Sequence, residues 1–169
     1  MALQALWQAV ANWPLSQYIT GSTWAFPTFE TIHVIAIVTV VGSVAVMDLR
    51  LLGLASNNSR VTEISNDTLP WTWAAFVVAV ISGGLLFISK ATDYAANPYF
   101  FWKLTLILLA GVNMAIFHAF TWRSVEGWDT ARDIPTAGKI AGGLSLFLWI
   151  VVVFLARAIG FTLDKFSPN

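Results

Sequence analysis

The feature that most constrains this chain is a set of four long stretches without Asp, Glu, Lys or Arg. They run from Thr31 to Met47, Thr68 to Ser89, Leu104 to Trp122 and Ile140 to Ala156. A helix needs about 20 apolar residues to cross the hydrocarbon layer of a bilayer, within a range of about 17 to 25. Each stretch reaches that length once its flanks are included. Strands would leave unpaired backbone groups in lipid, so helical hairpins must connect the stretches. The expectation is an all-α fold, a four-helix transmembrane bundle with spans near residues 28–53, 69–90, 99–123 and 138–160. Composition agrees: 57% of the 169 residues are hydrophobic and 11% are charged, whereas a soluble domain carries about a quarter charged residues.

The segment 1–26 reads as a unit before the transmembrane domain of residues 27–169. It lacks Lys and Arg and is broken at Asn12-Trp13-Pro14, so it does not resemble a secretory signal. Leu3, Leu6, Trp7 and Val10 recur at helical spacing, which predicts a short amphipathic helix in the interface or packed across the bundle end. Pro70 is expected in the first turn of the second span, where a missing donor does no harm. Trp24, Trp71, Trp73, Trp102 and Trp122 fall near span ends, and Gly127 to Pro135 reads as a polar loop. Gly138 and Gly142 have the spacing that lets helix backbones approach closely, within the bundle or against a partner.

Several chemistries are excluded. The chain has no cysteine, which removes disulfides, thiolate metal sites, iron–sulfur clusters and c-type haem attachment. Net charge is zero without a basic run, so nucleic acid is not a partner. No nucleophile elbow, phosphate-binding loop or catalytic triad spacing occurs, and the chain reads as having no catalytic activity of its own. Loop cations split five (Arg50, Arg60, Arg123, Arg132, Lys139) against four (Lys90, Lys103, Arg157, Lys165). With a cation-free N-terminus, this favours a plasma (inner) membrane protein with both termini external.

Ionisable groups at membrane depth are costly and mark candidate sites. One group is Glu30, His33, Lys90, Asp93 and Lys103 toward one face. Glu30 and His33 sit three apart on one helix face, the half-motif of carboxylate metal sites in bundles. The alternative is a carboxylate that orients a histidine and pairs with Lys103 or Lys90. The second group is Asp48, Arg50, His118 and Arg123 toward the other face. Asp48 and Arg50 point to different faces of their helix, so each needs a partner elsewhere or snorkels to the headgroups. Asn113, at mid-span, is expected to bond across to another helix or to extend a polar path with Thr39, Ser43 and Ser82.

Two histidines in a membrane bundle invite a haem b held between them. Spans one and three run in the same direction, and His33 is early in one while His118 is late in the other. At about 1.5 Å per residue their depths differ by about 20 Å. Axial ligands of one iron need similar depth, so a single bis-histidine haem within the chain is disfavoured. Two haems b with one histidine each, a metal ion, or a site shared between chains remain open.

Glu30-Thr31-Ile32-His33, Asp48-Leu49-Arg50-Leu51-Leu52-Gly53, Leu69-Pro70-Trp71-Thr72-Trp73 and Asp93-Tyr94-Ala95-Ala96-Asn97-Pro98 carry a family resemblance, continued by Lys103, Asn113, Phe117-His118 and Arg157-Ala158-Ile159-Gly160-Phe161. On these motifs the chain resembles a family of bacterial four-helix membrane proteins of unknown function. More distantly the layout is similar to copper-resistance D-type proteins and b-type cytochrome bundles. It lacks the four histidines of a two-haem core and the Met- or His-rich loop of the copper proteins. The functional expectation is a membrane subunit with a Glu/His site in a redox- or metal-related complex, surrounded by lipid and joined by other subunits or by copies of itself. The alternatives are a small proton- or metal-ion-coupled transporter and a purely structural assembly subunit.

Overall fold

Chain connectivity and backbone hydrogen bonding build helices almost throughout. The computed structural model describes residues 2–130 and 133–166; Arg132 lies outside them, as does the side chain of Leu3. Among the described residues every regular element is helical: α1 (Ala2–Ala11), α2 (Pro14–Gly21), α3 (Ala25–Leu51), α4 (Val61–Ser89), α5 (Ala91–Ala96), α6 (Pro98–Ile116), a π turn (Phe117–Thr121), a 3-10 turn (Trp122–Gly127) and α7 (Thr136–Phe166). Four segments are long and apolar enough to cross a membrane: Ala25–Leu51, Val61–Ser89, Pro98–Gly127 and Thr136–Phe166. The protein is therefore a multi-pass membrane protein built as a four-helix bundle.

Two boundaries differ from the expected ones for local reasons. α3 ends at Leu51 because Gly53 adopts φ +73°, which closes a Schellman turn. Its defining bonds are Leu54 N–H to the Leu49 carbonyl at 2.9 Å and Gly53 N–H to the Arg50 carbonyl at 3.0 Å. α4 starts at Val61 rather than near residue 69, which places Pro70 inside the helix and not in its first turn. The cause is a cap from far along the chain. Asp129 accepts the Thr62 N–H and the Thr62 hydroxyl, each at 2.8 Å, and the Asp129 carbonyl accepts the Val61 N–H at 3.1 Å. These bonds satisfy donors that would otherwise be orphaned at a helix start.

The contacts divide the chain into two compact units, and the long helices contribute to both. One comprises Met1–Val38, Ala75–Lys103 and Phe154–Asn169. There the N-terminal segment forms two helices, with Pro14 opening the second. Ser16 donates to the Ile88 carbonyl at 2.7 Å and Thr20 to the Ser89 carbonyl at 2.9 Å. Ile19 is fully buried, and Trp7 meets Phe87 edge-on at 5.6 Å. The segment is docked on protein through these contacts.

The other unit comprises Thr39–Ala74 and Leu104–Val153. Its core joins Leu51, Val61, Phe117, Val125, Trp128 and Ile134, with Met47, Trp122 and Ala141 packed against it. The expected polar loop thus contributes two core residues, Trp128 and Ile134. Gly142 lies where a Cβ would stand 3.0 Å from Leu51 Cβ and 3.1 Å from the Asp48 carbonyl oxygen. The close approach allowed by the glycine spacing is realised within the chain, between α7 and α3.

Candidate functional site around His33

His33 lies two turns into α3 and is half-buried. Its Nδ1 is 3.0 Å from Ser82 Oγ on α4. Ser82 is buried, and its hydroxyl donates to the Val78 carbonyl at 2.6 Å. A carbonyl only accepts, so the serine hydrogen is committed there. Nδ1 of His33 is then the donor to Ser82 Oγ, and Nε2 carries the lone pair. The Ala79 backbone also lies within hydrogen-bonding reach of the ring.

Gly83 makes this arrangement possible. A Cβ at residue 83 would stand 2.8 Å from His33 Cε1 and 3.3 Å from Nδ1. The imidazole occupies the volume a side chain would need. The Ser82-Gly83-Gly84 run supplies an acceptor and a flat face to one histidine.

Among the described residues no ion pair joins Glu30 or Lys103. Lys103, near the start of α6, lies within electrostatic reach of His33. Its ammonium sits 5.3 Å from the Phe100 ring centroid. Glu30 is exposed, one turn before His33, and its charge acts on the Tyr94 phenol of α5. Burial first, then Glu30 and Asp93, hold that phenol above its ordinary value. Tyr94 belongs to an aromatic group with Phe87 and Phe100, at 6.2 and 5.7 Å between centroids.

Residues 14–162 match the family described as "Family of unknown function (DUF6644)". The chain belongs to that family. No curated protein and no solved structure matches the chain. The more distant likeness to copper-resistance D-type proteins and b-type cytochromes finds no support in these comparisons.

In this family member the remaining expected site residues divide between the two units. In the unit of His33, Lys90 sits over the Phe26 ring at 5.4 Å, and Asp93 accepts the Thr92 hydroxyl at 3.4 Å. In the other unit, His118 lies on the π turn, a geometry common at functional positions. Its Nδ1 donates to the Met114 carbonyl at 2.9 Å, and Phe117 and Trp122 flank the ring. Arg123 is exposed on the 3-10 turn. Asn113 donates to the Ala141 carbonyl on α7 at 2.9 Å, the cross-helix bond expected of a mid-span amide. Ser43 pairs with Thr72 at 2.7 Å.

Arg50 does not snorkel. It is fully buried, and its Nε donates to the Ser59 carbonyl at 3.1 Å while a terminal nitrogen reaches the Asp129 carbonyl at 3.5 Å. It staples the end of α3 to the two loops of its unit. Asn97 has an equivalent role in the His33 unit. It is fully buried, accepts the Tyr99 N–H at 3.0 Å as the cap of α6, and donates to Thr162 on α7 at 3.0 Å. The Asn-Pro pair at a helix start is the signal that marks it.

Proposed function

We propose that the protein is a plasma-membrane subunit that binds a haem b through Nε2 of His33 and works in a redox- or metal-related complex. The observation that carries this reading is the His33–Ser82 hydrogen bond. A ligating histidine is oriented by a bond from its other nitrogen, which fixes the tautomer and points the free nitrogen at the metal. One histidine suffices for a haem, whereas a bare metal ion needs three or four protein ligands. Among the described residues no three His, Cys, Asp or Glu side chains gather to hold a metal ion. Lys103 supplies a positive charge beside the ring, which suits the anionic substituents of a porphyrin. Glu30 lies at the outer margin of the same site.

The absorption spectrum of the purified chain, with and without added haem, tests this. A Soret band that is lost in His33→Ala and weakened in Ser82→Ala is the expected result. A chain that stays colourless after haem titration sinks the proposal. The cation distribution supports external termini, checked by the accessibility of a single cysteine introduced at either end.

A further inference from the structure

Asp48 is a carboxyl in an apolar contact, and it is independent of the His33 site. It lies near the end of α3, and its residue is 4% exposed. Oδ2 has no hydrogen-bond donor. The polar side chain beside the carboxyl is Ser145 of α7. One turn earlier on α7, Gly142 brings its backbone against Asp48 so closely that a Cβ would be 3.1 Å from the Asp48 carbonyl oxygen and 3.5 Å from its Cα. The contact is tight backbone packing.

Among the described residues no ion pair reaches Asp48. On α3, Arg50 directs Nε and one terminal nitrogen to the Ser59 and Asp129 carbonyls. On α7, Lys139 pairs with Asp133 at 3.6 Å, and the turn that faces Asp48 carries Gly142 and Ser145. On the π turn, His118 gives its Nδ1 hydrogen to the Met114 carbonyl. An ionised carboxylate buried without a counter-charge is far costlier than its neutral acid. A carboxyl in such a place takes a proton or holds a cation.

We infer that Asp48 is an intramembrane proton-binding site, carried as the neutral acid at the α3–α7 contact beside the Ser145 hydroxyl. Its ligand is the proton itself. Among the described residues no three His, Cys, Asp or Glu side chains gather to hold a metal ion, which sets the proton above a cation as the occupant. Ser145 places a hydroxyl beside the carboxyl, and it is burial that favours the neutral acid there.

Infrared difference spectra of the full chain in liposomes, wild type minus Asp48→Asn, test the inference. The expected result at mildly acidic pH is a carboxylic-acid C=O stretch that shifts in deuterium oxide and is absent from the variant. Loss of a carboxylate stretch instead would mean a resting anion and would overturn it. Dicyclohexylcarbodiimide, an apolar reagent that attacks protonated carboxyls, provides a test on the wild-type chain alone. An adduct mapped to Asp48 and indifferent to sodium supports the site. Protection by sodium identifies a cation site and overturns the proton assignment. The absence of both the adduct and the C=O band does the same.

Discussion

The His33 ring lies against Gly83 at a distance that excludes any side chain there: a Cβ would stand 2.8 Å from Cε1. The neighbour that must give is a side chain and not backbone. Gly83→Ala is therefore expected to turn the imidazole away from Ser82 while the fold survives. The helix-propensity gain of alanine, up to about 1 kcal/mol, offsets much of the crowding. Thermal unfolding in detergent should move little, and haem titration should lose most of its Soret response. An unchanged titration would separate the Gly83 contact from the ligand site.

Gly142→Ala should behave in the opposite way. Its Cβ would meet Leu51 Cβ at 3.0 Å and the Asp48 carbonyl oxygen at 3.1 Å, and the backbone of a packed helix cannot retreat cheaply. Overpacking typically costs about 1–3 kcal/mol, more than alanine's propensity returns. A lowered melting temperature is expected, and a larger loss for Gly142→Leu. Equal stability of wild type and Gly142→Ala would contradict the closeness of α3 and α7.

Arg50→Lys is not a conservative change at this site. The guanidinium serves two carbonyls from different loops, and an ammonium on a different stem does not reproduce that fork. The Asp129 carbonyl keeps the Val61 N–H, so loss of the guanidinium orphans the Ser59 carbonyl, at about 1–3 kcal/mol. Both Arg50→Lys and Arg50→Ala should destabilise, with Ala worse because it also leaves a cavity. Guanidinium or heat unfolding in detergent measures the order; a silent Arg50→Lys would show that the staple carries no stability.

Acid should loosen the cap on α4. Burial raises the Asp129 carboxyl, but the Thr62 N–H and hydroxyl, the Arg60 charge and the Val61 N–H outweigh it and hold it below its ordinary 3.8. A depressed folded-state value stabilises the fold above the unfolded value and loses that stability as pH falls through the folded one. The stabilisation is therefore complete near neutral pH and declines below about pH 4. Asp129→Ala should cost about 1 kcal/mol at neutral pH, the usual value of a lost helix cap. Its unfolding should also depend less on pH in the acid range, and an acid profile identical to wild type would remove Asp129 from the account.

Four uncharged stretches, Thr31 to Met47 among them, determined the membrane, the helices and their number, because lipid admits few backbone arrangements and each needs a fixed length of apolar chain. The family motifs and the ionisable residues worth examining, His33 and Asp48 among them, were also legible, since a charge at membrane depth stands out in any sequence. Tertiary structure alone decided what those residues touch. Ser82 as the acceptor for His33, Gly142 as the wall beside Asp48, Asp129 as the cap that moves the start of α4 to Val61, and the burial of Arg50 and Asn97 all join residues far apart in the chain. Helical periodicity says which face a residue occupies. Hydrogen-bond partners depend on how two helices are rotated about their axes, and small residues set how closely they approach; both are fixed only when the helices pack.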